Sequence, residues 1–592
     1  MLFFIKHRRI KNLSIFVSSA KKLLKLNKMF KGHPKGLYVA FFSNMGERFG
    51  FYTMYAIFVL FLQAKYGFDS GRAGQLWGGF LAAVYFLPLI GGFLADKLWG
   101  YGRTISIGLV TMFIGYLLLA VPSTRGEALW LVIVALGVIS LGTGMFKGNL
   151  QALVGNMYDD PKYSKIRDVA FNIFYMGINI GAMFAPTTAR AVYSYIMKGA
   201  GLTYNPAIPA LANKFLDQTA TGNNISELLV LAGNQVPGIT ESGLADFSSK
   251  YIDTLSKAYH FGFGVACVSL IVSMLIFWGF RKHYRHADLT EKQKAASAEH
   301  KDKVVTLTRE QTRSRLMALG LVFGVVIFFW MSFHQNGLTM TMFARDYTQE
   351  SVPIYVYFWF DLWGLLSIAL SIGGLIFLVR KSSTIRIKII SGLVMIVFGY
   401  LAYMRLQTYN TFNVFTPEMF QQLNPFFIVI LTPIIVGFFT FLNKKGREPS
   451  APRKIGIGMI ITAVGFLILV IGSLSLIGYS PKEIGEIRIT DENLAVTPYW
   501  LIGSYFALTI AELFLSPMGI SFVSKVSPPQ YKGLMQGGWL AATAVGSYLV
   551  GIMGYSWRNL PLWGHWLVLV TCCCLSAIFI FSVIKRLERT TS

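Results

Sequence analysis

Long apolar runs recur along the whole chain and constrain its fold more than any other feature. Each run has roughly twenty residues, enough for one helix to cross about 30 Å of hydrocarbon. Backbone polar groups inside a bilayer must be satisfied within their own segment, so such runs predict helices. The sequence therefore predicts an all-α membrane protein with fourteen spanning helices, at 38–62, 73–95, 104–121, 128–150, 171–195, 258–280, 314–338, 353–379, 385–405, 424–443, 455–478, 499–521, 533–554 and 562–585.

Charged residues make up only 14% of the chain, whereas hydrophobic residues make up 54%. A soluble chain would carry about 25% charged residues. The net charge of +26 is compatible with nucleic-acid binding, but Lys and Arg cluster in the short connections between apolar runs. This bias is typical of the cytoplasmic loops of membrane proteins. Composition therefore favours the lipid bilayer as a partner and argues against nucleic acid.

The basic connections predict the orientation of the chain. Segments 96–103 and 158–167 are short and basic, which places them in the cytoplasm. Segment 1–36 carries ten Lys and Arg and no acid, and it lacks the pattern of a cleaved signal. It is either a basic cytoplasmic extension that binds anionic lipid or the result of an upstream start codon, with Met29 as the start. Both termini, including the tail 587–592, are expected in the cytoplasm.

A charged linker divides the chain into two groups of helices. The linker, 281–313, is a solvated charge run between a first bundle, 37–280, and a second bundle, 314–586. The first bundle includes a polar loop, 197–257, that we expect on the extracytoplasmic side. The second bundle includes an additional hairpin, 353–405, which we expect to pack on its outside, away from any central cavity.

The first predicted helix carries an unusual polar face, because its polar and aromatic residues recur at helical spacing. A charge at the centre of a membrane helix costs about 2.5–3.5 kcal/mol. Adjacent side chains on a helix point in different directions, so we expect Glu47 and Arg48 to face a wet cavity or a distant partner rather than each other. Lys147 and Glu512 are further charges in distant apolar runs. The pattern predicts a polar cavity in a helical membrane transporter. The residues of this face are Asn44, Glu47, Arg48, Phe51, Tyr52 and Tyr55.

No catalytic or metal-binding pattern is present in the sequence. There is no HExxH sequence, no P-loop, and no set of nucleophile, histidine and acid that would indicate an enzyme. The four cysteines lack metal-ligand spacing and are expected to pack as small apolar side chains. The chain is therefore expected to be neither an enzyme nor a metalloprotein.

Segment 92–104 reads GFLADKLWGYGRT and resembles the loop between the second and third helices of major facilitator transporters. Asp96, Gly100 and Arg103 stand in the matching places. The resemblance implies the major facilitator fold, in which two six-helix bundles rock against each other. It also implies that Asp96 and Arg103 belong to a conformational gate, where charges pair with basic groups or helix ends as the bundles move.

Further stretches together resemble the proton-dependent oligopeptide transporter family, as found in bacteria, and 174–181 is the most specific of them. The resemblance extends from about Met29 to the last helix. The matching stretches are Glu47, Arg48 and Phe49 with Tyr52; 146–149 with Val154 and Gly155; 174–181; Asn424 and Pro425; and Glu512 and Leu513 with 516–519.

The resemblance implies roles for individual residues. Glu512 would hold the peptide amino terminus, whereas Lys147 would lie near the peptide carboxylate and take part in proton coupling. Structural alternatives are a helix cap for Glu512, snorkelling to the surface for Lys147, and plain packing for the tyrosines and tryptophans. The implied substrate-binding residues are Tyr52, Tyr85, Lys147, Asn179, Trp330, Asn424, Glu512, Ser516 and Trp539, and the implied coupling residues are Glu47, Arg48, Lys147 and His334.

The chain departs from the family pattern at three places that bear on coupling. Asn44 and His334 replace two glutamates that are usual in the family, and Tyr55 replaces an arginine. A histidine titrates near neutral pH, so His334 could carry a proton, or it could simply be hydrogen-bonded in the cavity. We therefore expect altered pH dependence and a weaker hold on a free peptide carboxylate.

The sequence thus predicts a secondary active transporter that imports di- and tripeptides together with protons. The alternative is a major facilitator carrier for another small amino- or anion-bearing solute, with altered or absent proton coupling. The expected location is the bacterial inner membrane, the expected state is a monomer, and no cofactor is expected apart from the coupling proton.

Overall fold

The computed structural model describes residues 32–164, 166–288, 307–380, 383–489, 491, 493–528 and 531–590. Most of the predicted N-terminal extension and the centre of the predicted linker lie outside these residues. The described part of the chain folds into fourteen long helices with short connecting elements.

The long helices confirm the prediction of an all-α membrane fold. Thirteen helices of the described part are long and apolar enough to cross a membrane. The remaining one, α1, interrupts its apolar residues with Glu47 and Arg48, but its 32 residues span about 48 Å. The helices are α1 (Lys35–Tyr66), α2 (Ser70–Trp99), α3 (Tyr101–Leu119), α4 (Leu129–Asn156), α5 (Arg167–Gly199), α6 (Leu244–Gly279), α7 (Arg309–Phe333), α8 (Leu362–Val379), α9 (Ile385–Gln407), α10 (Leu423–Lys444), α11 (Ala451–Gly472), α12 (Tyr499–Val526), α13 (Lys532–Asn559) and α14 (Leu562–Ser582).

Helix α6 begins at Leu244 rather than at the predicted residue 258. Its first turns are amphipathic, with Phe247, Tyr251 and Leu255 buried at helical spacing, so an apolar run alone does not reveal them. The predicted loop 197–257 is accordingly shorter and contains two helices, Ile208–Leu216 and Gly222–Gln235.

Helix α7 breaks where the sequence predicted a continuous helix to 338. It ends at Phe333, and a 3₁₀ turn (His334–Gly337) leads into a short helix (Thr339–Asp346). A side chain at Gly337 would collide with Tyr55 and Trp77, so this glycine allows α1 and α2 to approach the break closely. Irregular backbone at membrane depth occurs where it is buried in protein or lines a cavity.

The additional hairpin has a different start from the predicted one. Its first helix, α8, begins only at Leu362, so Asp361 lies just outside the helix. Asp361 is buried and accepts hydrogen bonds from Arg405, at the end of the second hairpin helix, and from Tyr409 just after it. Strands β1 (Ser351–Pro353) and β2 (Phe412–Val414) close its base. This base contacts α10 and, through a Phe184–Trp363 ring pair, α5 of the other half.

Two halves meet most closely along α2 and α13. The first half is built from α1–α6, and the second from α7 and α10–α14. Gly78 of α2 lies against the backbone around Gly551 of α13, and Gly554 lies against Ser70. Small residues allow membrane helices to pack backbone against backbone.

Candidate substrate cavity

Glu47 and Arg48 form a bidentate ion pair with each other, contrary to our expectation. Arg48 Nη2 donates to Glu47 Oε1 at 2.6 Å, and Arg48 Nε donates to the second carboxylate oxygen. Adjacent positions on the helix do not keep the two groups apart, because both side chains are long and flexible enough to reach one another. Both are buried, and Phe51 lies under the guanidinium at 5.0 Å. The pair neutralises its own charge inside the first half.

Lys147 of α4 remains without a counter-charge within the described part of the chain. Its Nζ lies 3.9 Å from the ring centre of Tyr85 in α2, a cation–π contact. The charges of Glu47 and Arg48 both act on this ammonium group, but the Glu47 carboxylate pairs with Arg48 and not with Lys147. Lys147 points to the interior rather than snorkelling to the surface.

Glu512 of α12 is the corresponding unpaired acid of the second half. Asn424 of α10 donates to Glu512 Oε2 at 3.0 Å and also contacts Thr509. Tyr175 of α5 donates to Glu512 Oε1 at 3.4 Å, across the boundary between the halves. No cation pairs with Glu512 among the described residues. Sequence reasoning did not select Tyr175, although it stands in the motif 174–181.

Three tyrosines connect Lys147 and Glu512 through one interior space. The charge of Glu512 acts on Tyr52, Tyr85 and Tyr175, and Tyr85 also contacts Lys147. Protein surrounds all three tyrosines, yet Tyr175 is 41% exposed and Tyr52 and Tyr85 are partly exposed. Surface that is accessible to water deep inside the protein indicates a cavity between the halves.

An aromatic wall from α7 faces this space. Trp330 stacks on His334 at 5.1 Å, and both rings lie near Tyr85. His334 Nδ1 shares a hydrogen bond of 3.1 Å with the Ser547 hydroxyl of α13. Tyr55 donates to the Asn336 side chain at 2.6 Å, so the residue in place of the family arginine joins α1 to the break in α7.

Four other residues selected from the sequence form no hydrogen bond with Lys147 or Glu512 in the structure. Trp539 is 5% exposed and packs against Gly519, where a Cβ would collide with its ring. Asn179 donates to the Tyr175 carbonyl of its own helix, and its side chain also interacts with the Tyr175 hydroxyl that faces the cavity. The Ser516 hydroxyl and the Asn44 amide nitrogen are buried without a hydrogen-bond partner.

The two predicted gate residues do not pair with each other. Asp96 lies in a π-turn at the end of α2 and accepts a hydrogen bond from Tyr101. Arg103 is exposed and has no ion pair among the described residues. The start of α3 is instead capped by Asp288, which accepts from the Gly102 amide at 2.8 Å.

Comparison with known proteins decides the family. A family model described as the POT family matches residues 102–300 and 389–556. The chain belongs to the POT family.

Curated relatives of this POT-family chain match it over most of their length. An uncharacterized transporter, YclF, of Bacillus subtilis is 28% identical over 549 residues, which cover 89% of each chain. The peptide transporter YePEPT of Yersinia enterocolitica is 25% identical and covers 89% of this chain and 88% of its own. A crystal structure of a peptide transporter POT in complex with sulfate superposes with a TM-score of 0.62 at 22% identity, covering 95% and 96% of the two chains. This structure shares the fold.

One end of the cavity in this POT-family chain is closed by contacts between the halves. Arg345 donates to Gln63 Oε1 at 2.6 Å. The Ser70 amide and hydroxyl donate to Glu486 at 3.0 and 2.8 Å. Burial raises the pKa of the Glu486 carboxyl, while the hydrogen bonds from Ser70 act in the opposite direction. A surface cavity of about 570 Å³ lies immediately outside these contacts.

The packing between the halves differs towards the opposite end, where α4 ends and α5 begins. Among the described residues, α4 and α5 make at most glancing contact with α12.

Proposed function

We propose that this chain is a secondary active transporter that imports di- and tripeptides together with protons by alternating access. One observation carries the proposal: Lys147 and Glu512 stand unpaired on opposite halves of the protein, around the same interior tyrosines. A dipeptide carries a cationic and an anionic end roughly 5–6 Å apart. Such a substrate would supply the counter-charge that each residue lacks.

The surrounding contacts suit this division of roles. Asn424 and Tyr175 hold the Glu512 carboxylate from two sides, so it faces the space between the halves in a fixed orientation. There it would accept hydrogen bonds from the peptide ammonium. Lys147 would bind the peptide carboxylate, and the Tyr52 hydroxyl would bind the peptide backbone. Because the substrate touches both halves, its binding would favour closure of the cavity around it.

We infer the orientation of the chain from its charge pattern, and the contacts between the halves support it. The closed end lies opposite the basic connections, and we assign it to the outside of the bacterial inner membrane. Both termini would then be cytoplasmic, and this conformation would be ready to release a peptide inwards. The whole path lies within one chain, so the proposed functional unit is a monomer.

Proton coupling is proposed to involve the Glu47–Arg48 pair and Lys147. The charges of this pair act on Lys147, so a proton added to Glu47 would change the field at the peptide carboxylate site. Coupling would thus pass from an acid in α1 to a substrate-binding cation in α4. The Yersinia enterocolitica relative, named as a peptide transporter, supports the same substrate class.

Uptake of labelled dialanine into proteoliposomes tests the proposal. With an acidic outside buffer, dialanine should accumulate above its outside concentration, and a proton ionophore should abolish the accumulation. Dialanine that is acetylated and amidated carries no end charges and should not compete. If correctly folded protein gives no uptake above empty liposomes, the proposed function is wrong.

A further inference from the structure

Glu418 is a buried acid at the closed end, outside the cavity described above. It lies in the 3₁₀ turn Pro417–Gln422 that precedes α10, and its side chain is 0% exposed. Tyr193 of α5 donates to Glu418 Oε1 at 2.6 Å, and Thr416 donates to the same oxygen. Because α5 and α10 belong to different halves, the Tyr193–Glu418 hydrogen bond joins the two halves at this closed end.

The second oxygen of Glu418 distinguishes it from other buried acids. Five acidic side chains are buried in the described part of the chain. Three of them have an arginine partner, and Glu512 faces the proposed substrate site. Glu418 has neither, and its Oε2 is buried without any hydrogen-bond partner. The three arginine-paired acids are Glu47, Asp346 and Asp361.

The groups around Glu418 do not supply a counter-ion. The charge of Arg190 in α5 acts on Glu418, but the Arg190 guanidinium donates to the Val414 carbonyl and the Met419 sulfur and forms no ion pair with Glu418. Tyr204 and Tyr259 approach from the segment after α5 and from α6, and neither carries a positive charge. Arg345, on the short helix packed against this turn, is paired with Asp346.

An ionised carboxylate in such a place is disfavoured, because burial removes its water, and the hydrogen bonds from Tyr193 and Thr416 and the charge of Arg190 offset this loss only in part. When the halves separate at this end, Tyr193 leaves and water reaches the group, so the charged form becomes acceptable again. The protonation of Glu418 is thereby linked to closure of this end.

We propose that closure of the outer end requires Glu418 to take up a proton from the solution on that side. The carboxylate becomes a carboxylic acid as Tyr193 docks, and the proton returns to the same water when the end reopens. Glu418 then sets the dependence of the transport cycle on external pH and carries no net proton across the membrane. This inference rests on the proposed function only in assuming that the two halves move.

The test measures the distance between the halves without any substrate. Lys198, at the exposed end of α5, and Lys482, in the exposed loop of the second half, are changed to cysteine and spin-labelled, with the four native cysteines replaced. Pulsed electron resonance between pH 5.5 and 9 should show the closed population of the parent protein falling at least threefold as pH rises. Glu418→Gln cannot ionise and should remain closed throughout.

Two further variants make the outcome specific. Glu227→Gln removes another acid with an unpartnered buried oxygen, on the outer helix Gly222–Gln235, and should keep the parental response. Tyr193→Phe removes the donor from the other half and should move the midpoint to lower pH. Should Glu418→Gln fail to fold, Tyr193→Phe alone decides, because an unshifted midpoint overturns the proposal.

The Glu418 proposal is also wrong if the closed population of Glu418→Gln falls with pH as it does in the parent. It is equally wrong if the closed population of the parent does not change with pH. Failure of dialanine uptake would instead refute the proposed function and leave this distance measurement intact.

Discussion

The buried charges of the first helix and those facing the cavity are arranged in opposite ways. Glu47 and Arg48 satisfy each other through two hydrogen bonds within one helix. Lys147 and Glu512 come from different halves and pair with no opposite charge in the described part of the chain. A paired charge is satisfied whether or not a ligand is present, whereas an unpaired one gains a partner only from a ligand. The difference separates charges that stabilise the fold from charges available for binding.

Breaking the Glu47–Arg48 ion pair should have the largest effect of the four changes, and it should lower the stability of the fold. Glu47→Gln leaves Arg48 buried without a counter-ion, and we expect a loss of about 3–5 kcal/mol in the free energy of unfolding. Thermal unfolding in detergent measures it. Glu512→Gln is the matched control, because it removes an acid that has no cation partner, and it should change stability by less than about 1 kcal/mol. Equal losses in the two variants would abolish the distinction.

Removing the charge of the unpaired acid, Glu512, should impair transport rather than stability. Glu512→Gln should lower kcat/KM for dialanine uptake about 10–100-fold, because a charged hydrogen bond to the peptide ammonium is lost. Competition by dialanine acetylated at its amino end should be equally weak in both proteins. If the variant discriminates between free and acetylated dialanine as strongly as the parent does, Glu512 does not bind the amino end.

The unpaired lysine should show a smaller effect at the other end of the substrate. Lys147→Gln should weaken binding of free dialanine about tenfold and leave binding of amidated dialanine unchanged. The parent itself should discriminate only modestly against amidation, since Tyr55 stands where the family has an arginine. Competition assays with both compounds measure this. A large loss on amidation in the parent would contradict the interpretation of Tyr55.

His334 should give the smallest effect of the four. Its ring is held by Ser547 and Trp330, so His334→Ala removes about one hydrogen bond and one stacking contact. We expect pH-gradient-driven uptake to fall about two- to tenfold, with exchange of dialanine at equal pH less affected. Uptake that keeps its full dependence on the gradient would show that His334 carries no proton.

Much of the fold was predictable because apolar runs of spanning length are a local property. The predicted positions match the long helices, apart from the amphipathic start of α6, the break in α7 and the late start of α8. The three differences between predicted and observed helices have the same origin. At each of these positions, tertiary contacts rather than local hydrophobicity determine where the helix begins or breaks. The close approach of Gly337 to Tyr55 is one such contact.

The candidate site was predicted in its charges but not in its contacts. The motifs identified Lys147, Glu512 and Asn424, yet nothing in the spacing indicated that Tyr175 would reach Glu512 from the other half. The sequence likewise does not predict the role proposed for Glu418, because that role depends on a hydrogen bond from Tyr193, more than two hundred residues away.

The sequence by itself determined that this chain is a helical membrane protein of the POT family, because hydrophobic length and motif order are written along the chain. Only the tertiary structure decided which buried charges neutralise each other and which remain unpaired. Pairing depends on side-chain geometry and on neighbours brought together from distant helices, and neither is encoded in local spacing.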